Sequence, residues 1–206
     1  MSGQRAQVVL DFWFGPLPLT PERLAQRMQL WFGGDEHNDI RALRDEDAAR
    51  RFMPLIRSAA AGELSAWQSS PRRQLALVLL LDALPQQALR HTAGAYAGHA
   101  QALQITLSGL HQGADATLRP LERLFYYLPL QHAESPELQE ESVAAFRRLP
   151  DEADDIERPA VEVALAAAQR QQAIIRQFGR FPDRNAALGR SSTADELAFL
   201  SESGSR

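Results

Sequence analysis

The chain has 206 residues, of which 45% are hydrophobic and 23% are charged, and its formal net charge is −4. This length and balance are typical of one soluble globular domain with a sizeable core. The acidic charge argues against general nucleic-acid binding, which needs a broad basic face, and no apolar run is long enough to span a bilayer. We therefore expect a cytoplasmic protein with a single domain over residues 1–206, of which 201–206 form a disordered tail.

Two missing residue types restrict the chemistry. The chain has no Cys and no Lys, so all 22 cationic side chains are arginines. These absences exclude disulfides, thiol nucleophiles, Schiff-base chemistry and the lysine of a phosphate-binding P-loop. The five histidines show no i, i+4 pair, and a metal or cofactor is therefore not expected.

Apolar residues recur with helical spacing along most of the chain. Thr20-Pro21, Ser70-Pro71 and Ser135-Pro136 each have the pattern of an N-cap followed by the first helical residue. The predicted helices cover residues 6–14, 22–32, 39–61, 75–84, 93–110, 118–127, 138–149 and 159–178. Thr193 and Glu196 have capping-box spacing and predict a further helix. Roughly nine or ten short helices predict an all-α fold of stacked antiparallel hairpins.

Aromatic residues cluster where two of these helices end. Trp13-Phe14-Gly15 and Trp31-Phe32-Gly33 share one pattern, and Trp67 stands alone. These side chains could line a ligand groove. The large area that an aromatic side chain buries favours the core instead.

Asp82 ends a strongly apolar stretch, where a buried carboxylate is costly unless it is paired. Pro85 should disrupt the helix nearby and free backbone carbonyls. Two interpretations are open: a polar pocket forms at the break, together with Arg90, or Asp82 forms a structural ion pair with an arginine.

His132 and Glu134 lie between Pro129 and Pro136, in a segment that these prolines make irregular. An imidazole beside a carboxylate is the minimal general acid–base pair. The same two residues could equally be capping groups of an ordinary loop.

The densest group of hydrogen-bond donors lies near the C-terminus. It consists of four arginines and one amide: Arg176, Arg180, Arg184, Arg190 and Asn185. Guanidinium groups bind carboxylates and phosphates through paired hydrogen bonds, which predicts an anion site. The arginines could instead bridge loop carbonyls and acidic residues of neighbouring helices.

Several motifs, spread over nearly the whole chain, resemble one bacterial family, known as domain of unknown function 924. The segments concerned are 9–15, 31–32, 62–67, 79–85, 122–125, 129–134 and 178–185. The resemblance implies an all-helical, tetratricopeptide-like right-handed superhelix and no established activity. The family commonly has Asp-Gln-Phe-Pro-Arg-Asn at positions 82–87, Asp at the position of His99 and His at that of Asp183. The aspartate and the histidine of the family have thus exchanged places here, which suggests the hypothesis that the side chains of His99 and Asp183 contact each other.

The favoured function is a binding or scaffold protein whose concave helical face accepts a peptide or a small anionic ligand. Arg180, Arg184 and Arg190 would clamp the anion and Asn185 would position the turn, while the pocket would be shaped by Asp82, Arg90, His132 and Glu134. The alternative is a cofactor-independent hydrolase. In it His132 is the general base, oriented by Glu134 or Asp82, and the arginines stabilise negative charge. The oligomeric state is left open.

Overall fold

The computed structural model describes residues 2–16, 19–32 and 38–203, and this part of the chain is helical without a strand. The helices are α1 (Ser2–Phe14), α2 (Pro21–Phe32), α3 (Asn38–Ala60), α4 (Pro71–Leu81), α5 (Ala83–Ala88), α6 (His99–His111), α7 (Pro120–Tyr126), α8 (Leu128–Gln131), α9 (Pro136–Glu152), α10 (Arg158–Phe178) and α11 (Ala194–Ser203). The all-α prediction is confirmed. The tetratricopeptide-like superhelix stays a prediction, and Gly33 lies outside the described residues.

Three helix starts lie where the proline pattern predicts them. α2, α4 and α9 begin at Pro21, Pro71 and Pro136. The Ser135 hydroxyl accepts a hydrogen bond from the Leu138 amide at 3.3 Å, which caps α9. A proline at the first helical position loses no bond, because that amide has no partner within the helix.

The predicted helix over 75–84 is divided at Asp82. α4 ends at Leu81 and α5 begins at Ala83, so Pro85 lies inside the first turn of α5. In that turn its missing N–H costs no hydrogen bond. The break therefore precedes the proline and leaves the Asp82 carboxylate between two helices.

α4 is the central helix of the core. Every residue from Leu75 to Leu81 is at most 2% exposed, and α4 contacts α1, α3, α6 and α7. A helix that is apolar on all sides must be surrounded in this way. Its C-terminal end, at Asp82, consequently lies deep inside the protein.

The C-terminal helix is longer than the sequence suggests. α11 continues to Ser203, into the segment predicted as a disordered tail, and residues 204–206 lie outside the described residues. The ring of Phe199 packs on Phe178, with centroids 5.1 Å apart, and this contact anchors the helix. No helix within the described ranges is long and apolar enough to cross a membrane. The cytoplasmic location stays a prediction.

Candidate functional site

The break between α4 and α5 holds a buried carboxylate and an imidazole in direct contact. Asp82 is fully buried, and its Oδ1 accepts a hydrogen bond from Nδ1 of His132 at 2.6 Å. His132 caps the short helix α8, which brings two residues 50 positions apart together. Gln86, one turn after Asp82, donates from Nε2 to the same Oδ1 at 2.9 Å.

His99, the first residue of α6, completes this cluster. Its ring stacks on that of His132, with centroids 5.4 Å apart and an interplanar angle of 15°. Its Nε2 lies 3.9 Å from Oδ1 of Asp82 and 3.4 Å from Nε2 of Gln86. Asp82, Gln86, His99 and His132 are called the Asp-His cluster below.

The charges of the Asp-His cluster follow from burial and from its internal contacts. Burial acts to raise the pKa of Asp82, but the charge and hydrogen bond of His132, with His99 and Arg184, hold it below the ordinary value. Burial lowers the pKa of His99 to about 4, against the opposing pull of Asp82. At neutral pH Asp82 is therefore a carboxylate and the His99 ring is uncharged. Since a carboxylate only accepts, Nδ1 of His132 carries the shared proton.

A cavity of about 270 Å³ lies beside the Asp-His cluster. Gln86 and His132 form part of its wall, and three aromatic residues, Trp31, Phe32 and Phe125, form another part. The rings of Trp31 and Phe125 are in edge contact, with centroids 4.7 Å apart. Trp13, Phe14 and Trp67 are buried as predicted for core residues. Trp13 and the half-buried Trp31 and Phe32 also line the cavity, while their role as a ligand groove stays a prediction.

Four buried polar atoms of uncharged side chains in the cavity wall have no hydrogen-bond partner among the described residues. They are the indole Nε1 of Trp13 and the amide oxygens of Gln87, Gln131 and Gln171. Trp13 and Gln131 are 5% and 4% exposed, respectively. Leaving such groups unpaired costs about 1–3 kcal/mol each. Side chains of the cavity wall therefore have unused hydrogen-bonding capacity, at atoms that lie just beneath the cavity surface.

Two of the predicted anion-clamp arginines bind carboxylates of the chain itself. Arg180 donates from Nε and Nη2 to Glu196 at 2.6 and 2.8 Å. Arg190 donates to both carboxylate oxygens of Glu134, at 2.7 and 3.0 Å. Glu134 also accepts from the Phe181 amide at 2.8 Å. These contacts fasten the C-terminal loop to α11 and to the loop after α8.

Arg184 and Asn185 are buried structural parts of the same loop. Arg184 donates to the His132 carbonyl at 2.9 Å, and its guanidinium stacks on the ring of Phe181 at 4.1 Å. The amide of Asn185 donates to Ser192 at 3.0 Å and to Glu196 at 3.2 Å. None of Arg180, Arg184, Asn185 and Arg190 lines the cavity.

The interpretation of Asp82 as the partner of an arginine is wrong, because its hydrogen-bond partners are His132 and Gln86. Arg90 forms its ion pair with Asp45 instead, from Nε to Oδ2 at 2.8 Å. Arg90 does lie in the cavity wall. The cavity lies beside the helix break, since Gln86, Gln87 and Arg90 line it, but Asp82 itself does not.

A family model described as a bacterial protein of unknown function, DUF924, matches residues 9–204. The chain belongs to the DUF924 family. A solved structure of a protein of unknown function from Agrobacterium tumefaciens shares the fold with a TM-score of 0.77 and 29% identity, over 98% of this chain and 99% of the other. A comparison with curated proteins gives no match.

This DUF924 chain uses His99 in a way that the exchange hypothesis did not predict. No direct hydrogen bond or ion pair joins His99 to Asp183, both of which lie in the described part of the chain, while Gln86, His132 and Asp82 surround the His99 ring. Sequence reasoning did not select His99, Gln87, Gln131 or Gln171 as site residues. Their spacing carries no signal, because they come from different helices and meet only through tertiary packing.

Proposed function

We propose that the protein binds a compact polar molecule in the cavity beside the Asp-His cluster. The observation that supports this is that four residues of the cavity wall each carry a buried polar atom with no hydrogen-bond partner within the described ranges, which rotation of the side chain would turn toward a ligand. Small-molecule sites combine mainly apolar walls with a few convergent polar groups. A volume of about 270 Å³ corresponds to the lower end of such sites, roughly 300 Å³.

The polar atoms favour a donor-rich ligand over an anion. Three of the four unpartnered atoms are amide oxygens, which accept hydrogen bonds from N–H or O–H groups. The aromatic rings suit a flat apolar portion of the same molecule. A ligand with several N–H groups on a planar ring fits both features. The anionic ligand predicted from the C-terminal arginines would have to displace Glu196 or Glu134, and the peptide-binding concave face stays a prediction.

A thermal-shift screen with planar amides, heterocyclic bases and their N-methylated analogues tests this proposal. A ligand at a hundred times its Kd should raise Tm by roughly 5 °C or more. Gln171→Leu removes one acceptor from the cavity wall and should weaken binding about tenfold. N-methylation of the ligand should weaken it similarly, because it removes the matching donor.

Gln172→Leu is the matched control for this variant. Gln172 is the next residue of α10, is also half-buried, and does not line the cavity. Binding should be unchanged in this variant. Equal losses in both variants, or a screen in which only anions bind, would contradict the proposal.

General acid–base catalysis in the same cavity is a second candidate, favoured by the contact between Asp82 and His132. Asp82 fixes the ring through Nδ1 at 2.6 Å, and Nε2 has no hydrogen-bond partner within the described ranges. A ring oriented in this way can take a proton from a bound molecule through Nε2. Glu134, the other predicted orienting group, is held by Arg190.

Turnover of any ligand found in the screen tests this second candidate. Mass spectrometry of ligand incubated with the protein should show a product, and His132→Gln should slow its formation by about a hundredfold or more. Asp82→Asn should slow it as well, because Nδ1 of His132 loses its carboxylate. Recovery of the unchanged ligand would rule out the catalytic role, and the proposal that the cavity binds this ligand would still stand.

A further inference from the structure

We propose that Asp82, His99 and His132 form a binding site for one divalent first-row transition-metal ion, with Gln86 as a fourth donor. The three ligand atoms lie within 4.8 Å of one another, one from each residue. They come from the α4–α5 break, the start of α6 and the end of α8. Two imidazoles and a carboxylate are a common donor set for Zn²⁺ and for non-haem Fe²⁺.

The distances within the triad require only small shifts to accept an ion. Ligand atoms around tetrahedral Zn²⁺ are about 3.3 Å apart. His99 Nε2 lies 3.9 Å from Oδ1 of Asp82, and His132 Nδ1 lies 2.6 Å from the same oxygen. The first distance must shorten and the second must lengthen, each by less than 1 Å, and the distance between the two imidazole nitrogens, at most 4.8 Å, must shorten as well. When an ion replaces the proton on Nδ1, the hydrogen bond between His132 and Asp82 is lost and this second distance can lengthen.

A second, independent observation points to a ligand at this position. Oδ2 of Asp82 is buried and has no hydrogen-bond partner among the described residues. An unsatisfied carboxylate oxygen in a fully buried residue is costly and calls for an explanation such as an ion. Coordination through both carboxylate oxygens would satisfy Oδ2 while Oδ1 keeps its place in the triad.

The side-chain nitrogen of Gln86, Nε2, lies within 3.4 Å of each of the three ligand atoms. It is 2.9 Å from Asp82 Oδ1, 3.2 Å from His132 Nδ1 and 3.4 Å from His99 Nε2. Because Nδ1 of His132 carries the shared proton, two donors face each other across the 3.2 Å contact. A half-turn of the amide would place Oε1 over the triad, where it can coordinate a cation.

The site opens toward the cavity, since Gln86 and His132 both line it. An ion here would present an open coordination position to a molecule bound in the cavity. Metal binding and acid–base catalysis by His132 exclude each other, because Nδ1 holds either the ion or the proton shared with Asp82.

Titration of the full-length protein with Co²⁺ and Zn²⁺, after EDTA treatment and desalting, tests the site. We expect one ion per chain by elemental analysis, visible absorption from bound Co²⁺ and a higher Tm with Zn²⁺. His99→Ala and Asp82→Asn should each weaken binding by at least about tenfold. Gln171→Leu should bind the metal normally, which separates this result from that of the ligand screen.

His111→Ala is the matched control, since His111 is an exposed histidine at the other end of α6. It should bind Co²⁺ like the parent protein. Absence of Co²⁺ absorption in the parent, or equal losses in His99→Ala and His111→Ala, would overturn the proposal. Far-UV circular dichroism checks the fold of each variant. If Asp82→Asn is unfolded, the comparison of His99→Ala with His111→Ala decides, because His99 is partly exposed and its replacement disturbs the core less.

Discussion

Gly109 lies where α6 passes closest to the buried side chain of Tyr126. A Cβ at this position would overlap the Tyr126 hydroxyl and lie 2.8 Å from Oε1 of Gln74. Tyr126 is fully buried and donates to that oxygen at 2.8 Å, so its ring has little room to move. Glycine is therefore required here by packing, although the backbone is ordinary helix.

We predict that Gly109→Ala destabilises the protein by about 1–3 kcal/mol in urea unfolding. Overpacking and disturbance of the Tyr126–Gln74 hydrogen bond outweigh the gain of about 1 kcal/mol in helix propensity. Adding Tyr126→Phe should recover part of the loss, because it removes the overlapping hydroxyl.

Gly3→Ala is the matched control, since Gly3 is helical and an added Cβ meets nothing within 4 Å. It should leave stability unchanged or raise it slightly. Similar changes in stability at both positions would show that packing against Tyr126 does not require glycine at position 109.

Besides the packing of Phe199 on Phe178, α11 is attached to the rest of the protein through the Glu196 carboxylate. Glu196 accepts hydrogen bonds from Arg180, from the Thr193 amide at 2.7 Å and from Asn185. The Thr193 hydroxyl in turn accepts from the Glu196 amide at 3.2 Å, so the predicted capping box is confirmed. The hydrogen bond from Arg180, with that from Thr193, lowers the pKa of Glu196 to about 2.

We predict that the attachment of α11 weakens at acid pH. Because the folded-state pKa of Glu196 lies below its ordinary value of 4.5, its contribution to stability is present above that value. It is lost as the pH falls toward about 2. Glu196→Gln should lower Tm at pH 7, and the difference from the parent protein should shrink as the pH approaches 2.

Asp195→Asn serves as the control, because Asp195 is the exposed neighbour of Glu196 in the same helical turn. Its Tm should follow that of the parent protein at every pH. A Tm difference for Glu196→Gln that does not change with pH would argue against the role of this carboxylate.

The elements themselves were predictable to different degrees. Prolines and capping residues set helix starts through local backbone hydrogen bonding, so Pro21, Pro71 and Pro136 were identified correctly. The predicted helix over 93–110 begins only at His99. Gly98 precedes it, and an added Cβ there would overlap the Leu81 carbonyl. Packing against α4 therefore decides where α6 begins, and the pattern of neighbouring residues in the sequence does not reveal this packing.

At the scale of the whole molecule, two groups of polar residues have different roles. The C-terminal arginines bind internal carboxylates and hold the last helix in place. The cavity is lined by other residues, and the Asp-His cluster, which Arg184 contacts through the His132 carbonyl, retains an unpartnered oxygen at Asp82. Sequence reasoning gave most weight to the arginines, because guanidinium groups bind internal and external carboxylates by the same hydrogen bonds.

The sequence by itself determined the all-helical class, most helix positions and the excluded chemistries, because these depend on composition and on contacts within a few residues. It also determined that Asp82 needs a partner, since a carboxylate is costly to bury alone. Only the tertiary structure decided that the partner is His132, that His99 joins them, and that Gln131 and Gln171 face one cavity. These contacts join residues far apart along the chain, and the packing of α5 and α6 against α4, and of α8 against α6 and α10, brings them together.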